Sequence, residues 1–429
     1  MTSTAFLTDQ YELTMLQAAL RDGTAHRKAT FELFARNLPS GRGYGVVAGT
    51  ERAIKAIKKF RFNKKQLEFL AANNIVDTDT TDYLRNYKFK GDIIGYREGD
   101  VFFPFSPILT VRATFGDGVL IETILLSIMN YDSAIASAAS RMVQAAQGIP
   151  VFELGSRRAH EKAAVAASRA AYIAGFNGTS NLEAGRKYGI PTMGTSAHAF
   201  TLVHKDEKKA FASQISALGV GTTLLVDTYN TEQGIRNAVE IGGPHLGGIR
   251  IDCGDLIKET LKARVLLDEL GNKDTKIILS SDIEEYIIAD LVAAGCKIGG
   301  IGAGTKVVTG SGFPTSGMVY KLVEIEDDDG TMITVAKTSE NKVSVGGLKN
   351  VARTYDINGK IENEIISLDI PNVKDGVLVE HIKNGNATHT PTLNEIRLYH
   401  EQVMFTLSKE YKALKVGTLP AINKYEIGE

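Results

Sequence analysis

Three short apolar runs between Val151 and His198 each end in small or polar residues. The endings are Gly155-Ser156-Arg157-Arg158, Gly178-Thr179-Ser180-Asn181 and Gly194-Thr195-Ser196-Ala197-His198. Paired guanidinium groups, small hydroxyls and one imidazole in neighbouring turns are the parts of a pocket for an anionic, phosphorylated ligand. His198 is the imidazole with such neighbours, which makes it a candidate for acid–base or covalent work. The other seven histidines lack this setting: His160 falls on an expected helix, and the rest fall in polar segments.

Two further stretches carry chemistry. Ile249-Arg250-Ile251-Asp252-Cys253-Gly254-Asp255 ends a strand with one cation and two carboxylates. Strand alternation puts Arg250 and Asp252 on one face and Ile251 on the other. The planar fork of arginine suits a carboxylate or phosphate, and the aspartates suit ribose hydroxyls or a Mg²⁺ held through pyrophosphate. A structural ion pair is the competing reading of Arg250 and Asp252. Ile301-Gly302-Ala303-Gly304-Thr305 is a Gly-x-Gly-Thr turn after a strand, where backbone N–H groups and the Thr305 hydroxyl approach a phosphate. A tight turn alone would read the same way. Neither a Walker A sequence nor a GxGxxG opening a helix is present, which disfavours P-loop and dinucleotide-binding folds.

Parallel βα units must position these residues. From Val151 to Val308, strand-like runs alternate with helix-like ones: VFELGS, a helix over 159–174, a short strand over 191–194, TTLLVDTY, GGIRID, a helix over 256–270, KIILSSD and KIGGIGAGT. About six such units in line suggest a barrel more than an open sheet. Arg157, Thr195, His198, Asp227, Arg250, Asp252, Asp255, Asp282 and Thr305 fall at or just past strand ends, so a barrel gathers them on its C-terminal face. The flanks differ. A helix capped at Thr8 or Asp9 covers 10–21 and carries Tyr11. Short β runs follow at 29–34, 93–96, 101–105 and 108–113. MVYKLVEIE and TMITVAK are joined by Asp327-Asp328-Asp329-Gly330, a hairpin signal. The expected fold class is α/β: an irregular (β/α) barrel over 116–334, with an α+β open-faced sandwich built from 1–115 and 335–429.

Composition sets outer bounds. With 43% hydrophobic and 23% charged residues the chain is an ordinary globular protein. A net charge of −1 leaves no electrostatic footprint for nucleic acid and no polybasic membrane surface. Two cysteines, Cys253 and Cys296, are too few for a disulfide framework, and the N-terminal 15 residues lack the apolar core of a signal peptide. A reduced cytoplasm is the expected compartment.

Together the motifs resemble those of nicotinate phosphoribosyltransferases, type II phosphoribosyltransferases of NAD salvage. The resemblance runs in order through TDQYELTM, FELFARNLPSGRGYG, ELGSRRAH, GFNGTSN, GTSAHAF, LLVDTY, IRIDCGD, KIILSSD, GAGT and VAKTSENK, over roughly residues 8–350. It implies a dimer with sites at the subunit interface. The implied reaction converts nicotinate and 5-phosphoribosyl 1-pyrophosphate to nicotinate mononucleotide and pyrophosphate, driven by ATP hydrolysis through a phosphohistidine, with Mg²⁺. By resemblance His198 accepts the phosphoryl group, Thr195 and Arg250 hold nicotinate, and Tyr11 of the other subunit stacks on its ring. Thr305 and Gly304 hold the phosphoribosyl phosphate. Asp227, Asp252 and Asp282 serve ribose, Mg-pyrophosphate or ring orientation. Arg36, Arg157 and Lys337 are further phosphate candidates.

The sequence departs from the family pattern in small ways. Cys253 replaces serine in the Asp-x-Gly-Asp turn, and Ala303 replaces valine. Ser180, where nicotinamide-using relatives carry aspartate, suits a carboxylate substrate beside Arg250. A quinolinate-type decarboxylating transferase needs additional cations and no phosphohistidine, and a non-catalytic metabolite-binding protein has no use for His198.

Overall fold

The computed structural model describes residues 2–337, 345–368, 376–414 and 422–426. The chain forms two compact units, Ile135–Pro314 and the joined termini Met1–Ala134 with Thr315–Glu429. The sequence reading put these boundaries at 115/116 and 334/335. The second falls earlier because Met318–Glu326 pairs antiparallel with Lys28–Ala35 and so belongs to the terminal unit, and the first falls later, inside the helix Glu122–Ala146.

The central unit holds six parallel strands: β1 Val151–Glu153, β2 Gly178–Thr179, β3 Thr223–Leu225, β4 Gly248–Ile251, β5 Lys276–Ser281 and β6 Gly300–Ala303. Their spatial order is β2-β1-β6-β5-β4-β3. The first strand therefore pairs with the last, through Ile301–Val151 and Ala303–Glu153, which is how a ring closes rather than how a doubly wound sheet runs. The ring continues past β2 by one bridge, Thr179–Thr192. The expected strand at 191–194 is reduced to that bridge, because Pro191 has no N–H to donate to a ladder. No ladder joins Thr192 to β3 among the described residues, and this break makes the barrel irregular.

Close approach of β1 and β6 requires glycine. A Cβ on Gly155 would stand 2.4 Å from Val308 Cγ1 and 2.8 Å from the Gly304 carbonyl oxygen. The turn after β1 is thus packed directly on the turn after β6. The helices Glu161–Ile173, Thr231–Gly242, Leu256–Glu269 and Glu285–Ala293 follow β1, β3, β4 and β5. Asn230 and Asp255 cap the second and third of these by accepting from Gln233 N and Lys258 N.

The terminal unit is the sandwich. A seven-stranded sheet runs in the order 332–334, 318–326, 28–35, 109–114, 92–96, 378–383, 386–387. A separate sheet joins 349–355, 361–368 and 423–426. Phe31 and Tyr320, from the two ends of the chain, stack at 4.9 Å. Leu13, Leu16, Ile54, Ile57, Leu67 and Leu84 of the helices share one core with Leu33, Val111 and Ile382 of the sheet. The hairpin of 318–326 and 332–334 is present. His381 and His400, placed in polar segments by sequence, are instead buried, bonded to the carbonyl oxygens of Tyr96 and Gly99. Residues 338–342 of the VAKTSENK motif lie outside the described residues. No helix among the described residues is long and apolar enough to cross a membrane.

Candidate active site

The C-terminal ends of β3, β4 and β5 bring the central groups together. Asp227 lies two residues beyond β3, with a side chain only 1% exposed. Its Oδ2 accepts from the Asp252 N–H at 2.7 Å and from the Cys253 thiol at 3.2 Å. Its Oδ1 is buried without a hydrogen-bond partner among the described residues. Asp252, just past β4, accepts a short bond from the Ser280 hydroxyl of β5. Each aspartate is thus fixed by the next strand, Asp227 by the end of β4 and Asp252 by β5, and each keeps an oxygen for something else.

His198 faces those oxygens. It opens the helix His198–His204, and its Nδ1 lies 3.1 Å from Thr228 Oγ1. Its Nε2 is 3.8 Å from Asp227 Oδ1 and 3.9 Å from Asp252 Oδ2, beyond hydrogen-bond length. The ring is 39% exposed, so a reactant can reach Nε2.

Arg250 supplies the cation. It sits inside β4, one residue before the strand ends, rather than past it. One guanidinium nitrogen donates to Thr195 Oγ1 at 2.6 Å, while its buried Nε has no acceptor among the described residues. Burial pulls its pKa down and the nearby Asp252 and Asp227 oppose that; the positive field of Arg157 adds to the lowering. Arg157, whose charge is felt at Arg250, is exposed in the 3-10 turn after β1. Cys253 has its thiol pushed up to about 11, chiefly by the bond to Asp227, so it stays a protonated donor.

The β1–β2 side is organised by Glu153, which the sequence reading passed over. This buried carboxylate accepts from Ser168 Oγ at 2.7 Å, from Thr179 Oγ1 at 2.5 Å and, over a short bond, from Gly155 N–H. It holds the turn carrying Arg157 to the turn carrying Ser180, whose N–H donates to the Glu153 carbonyl at 2.9 Å. Asn181 joins the same turns through Ser156 Oγ at 3.0 Å. Beyond β6, Gly304 precedes the short helix Thr305–Val308. Lys306 there pairs with Glu284 at 2.7 Å, and Asp282, exposed beyond β5, contributes to its raised pKa.

Thus His198, Asp227, Arg250, Asp252 and Thr195 meet directly, while Ser180, Arg157, Asp282, Gly304 and Thr305 occupy adjoining strand ends. Tyr11, Arg36 and Lys337 belong to the sandwich unit. Tyr11 is 49% exposed, and burial with Glu122, Glu12 and Asp9 nearby pushes its hydroxyl up to about 12. Arg36 has a buried Nε without a partner among the described residues. Glu153, Thr228 and Ser280 are the residues missed. A single acid closing an apolar strand, Val151-Phe152-Glu153, was the available signal for the first.

Comparisons with known proteins place the chain in a family. Residues 6–130 match the nicotinate phosphoribosyltransferase (NAPRTase) N-terminal domain, and residues 149–282 match the NAPRTase family. The Mycobacterium tuberculosis nicotinate phosphoribosyltransferase pncB1 is 53% identical over 84% of this chain and 80% of its own length. The chain belongs to the nicotinate phosphoribosyltransferase family.

The Bacillus subtilis nicotinate phosphoribosyltransferase is 40% identical over 86% of this chain and 77% of its own. The human nicotinic acid phosphoribosyltransferase structure superposes with a TM-score of 0.84 at 23% identity, covering 98% of this chain and 97% of that one, and so shares the two-domain fold. The family matches take in Tyr11 and Arg36 and every barrel position from Arg157 to Asp282, with Gly304 and Thr305 beyond the second match.

Proposed function

We propose that this chain transfers the 5-phosphoribosyl group of 5-phosphoribosyl 1-pyrophosphate to nicotinate, coupled to ATP hydrolysis through a phosphorylated His198. The products are nicotinate mononucleotide, pyrophosphate, ADP and phosphate, the first step from nicotinate towards NAD. We take the working form to be a cytoplasmic homodimer with shared sites. The observation that carries this reading is a matched pair of unsatisfied groups at one place. Among the described residues, Arg250 Nε is a buried donor without an acceptor, and Asp227 Oδ1 is a buried acceptor without a donor. Such groups are costly unless a ligand completes them.

In the transfer the pyridine nitrogen attacks C1 of the ribosyl ring. The bond from C1 to the pyrophosphate oxygen breaks, and its electron pair leaves with pyrophosphate. Positive charge builds on the ring, which the Asp227 and Asp252 carboxylates stabilise. Arg250 pairs with the nicotinate carboxylate and Thr195 borders the same group, while neutral Ser180 leaves a carboxylate unopposed. Tyr11 of the second subunit stacks on the pyridine. Gly304, Thr305 and Arg157 take phosphate oxygens, with Arg36 and Lys337 as further cations and Asp282 near the ribose.

Among the described residues, no group of three histidine, cysteine or acidic side chains is arranged to hold a metal. Asp252 and Asp227, each with a carboxylate oxygen not used by the fold, would hold a Mg²⁺ brought with the pyrophosphate. When bound, the ion would supply neutralisation of the charge on the leaving group.

In the coupling step Thr228 fixes the imidazole. With Nδ1 protonated and donating to Thr228 Oγ1, Nε2 keeps its lone pair. Nε2 takes the γ-phosphoryl group as ADP leaves, and water later releases it as phosphate. A phosphoryl group beside two carboxylates makes the site strongly anionic. That changes the charge met by the anionic substrates and products and so links their affinity to the phosphorylation state.

The test is a product assay with labelled nicotinate, nicotinamide and quinolinate, with and without ATP, on the wild type and His198→Ala. Nicotinate should be the substrate converted, and ATP stimulation should vanish in the variant while its thermal midpoint stays unchanged. Persistent ATP stimulation without His198 rules out the phosphohistidine.

A further inference from the structure

A cavity of about 230 Å³ lies within the sandwich unit, bordered by the helix Thr50–Lys58 and by Leu378–Lys383 and Asn386–Ala387. The phosphoribosyl chemistry makes no use of it. Its walls carry polar groups that the fold leaves open. Thr50 is 2% exposed, and its Oγ1 has no hydrogen-bond partner among the described residues. His381 is 1% exposed, with Nε2 2.9 Å from the Tyr96 carbonyl oxygen. A carbonyl can only accept, so Nε2 carries the proton and Nδ1 remains an acceptor. Burial pushes the pKa of this ring down to about 4, which keeps that acceptor at neutral pH.

The remaining walls narrow the ligand. His389 stands 5.7 Å from His381, ring to ring, and offers an aromatic surface. Ile54 and Ala387 are apolar. Glu98 is turned to the helix start, accepting from Gly49 N–H at 2.6 Å and Glu51 N–H at 3.1 Å. Lys55 is bonded to Glu51, whereas exposed Lys58 has no ion pair among the described residues. The volume lies below the usual range of drug-sized sites, so one ring system enters.

We propose that this cavity binds an aminopurine mononucleotide, with the base edge on His381 Nδ1 and Thr50 Oγ1 and the phosphate at Lys58. The adenine edge pairs an exocyclic N–H donor with a ring nitrogen acceptor, which matches an imidazole acceptor and a hydroxyl lining one cavity. Inosine monophosphate presents oxygen where adenine has the amino donor, and it meets the His381 lone pair with its own.

The chain has no tryptophan, so Thr390→Trp puts a single reporter at the lining of the cavity. Adenosine monophosphate should change its emission saturably. Adenosine, inorganic phosphate and inosine monophosphate should each bind at least about tenfold more weakly. In the reporter background, Thr50→Val should weaken binding about three- to tenfold, Lys58→Gln should reduce it to the adenosine level, and Ala387→Phe should abolish it. The proposal is overturned if adenosine monophosphate gives no saturable change, or if its affinity is the same in folded Thr50→Val and Lys58→Gln variants. Equal affinity for inosine monophosphate also overturns it.

Discussion

Arg250 is where substrate choice should turn. Its guanidinium is partly buried, held on one side by Thr195 and left open at Nε. A charge-assisted bond at such a site contributes about 1.5–3 kcal/mol. Arg250→Ala is therefore expected to raise KM for nicotinate by roughly 10- to 100-fold. KM for the phosphoribosyl donor should change far less, as steady-state kinetics in each substrate will report. Arg250→Lys should recover little, since a point charge cannot reproduce the fork. This residue was legible in the sequence, as were His198, Asp227 and Asp252, because charge beside glycine at a strand end has few structural uses. Thr228 and Ser280 were not. A hydroxyl within Asp227-Thr228-Tyr229 or Ser280-Ser281-Asp282 looks like any turn residue until the fold sets it against His198 or Asp252.

At the scale of elements, the site depends on how closely the turn after β1 lies on the turn after β6. Gly155 is the contact point, and any side chain there meets Val308 and the Gly304 carbonyl. Gly155→Ala should cost about 1–3 kcal/mol, as overpacking does, visible as a lower thermal midpoint. It should also raise KM for the phosphoribosyl donor more than for nicotinate, because the displaced segment is Gly304-Thr305. Equal KM effects would separate that turn from phosphate binding. The order of strands and helices was readable from alternating apolar runs. A ring was expected from the number of units in line, but which strands close it was not readable, because closure rests on β1 pairing with β6 across about 150 residues of chain. The failure of a strand at 191–194 was in principle readable from Pro191. The burial of His381 and His400 was not, since each is satisfied by a carbonyl far away in sequence.

For the whole molecule, the sandwich unit carries an acid sensitivity of its own. Burial pushes His381 and His400 down to about 4, below the ordinary value near 6.5. Between those values the unfolded chain binds protons that the folded chain refuses, so stability falls as pH drops from 6.5 towards 4, by roughly 3 kcal/mol per histidine at the lower end. Glu12 and Asp117 act the other way. Burial raises both to about 6, so the folded chain takes up their protons first and gains stability as pH falls through 6. The thermal midpoint should therefore decline only gently from pH 6.5 to 5. His400→Gln, whose amide can still donate to Gly99, should flatten or reverse that decline, and Asp117→Asn should steepen it. A decline unchanged in both variants would assign the acid sensitivity to other groups.

The assembly makes a stricter claim. If Tyr11 completes the site of a second copy, Tyr11→Ala and His198→Ala damage different faces of one shared site. A heterodimer of the two then contains one intact site and one doubly damaged site. Random reassortment of equal amounts makes half the dimers heterodimers, so mixing the two variants should restore roughly a quarter of wild-type ATP-stimulated turnover. The recovered activity should depend on protein concentration, because it requires exchange of subunits. If each copy instead supplies its own Tyr11, every site in the mixture keeps one lesion and no turnover returns.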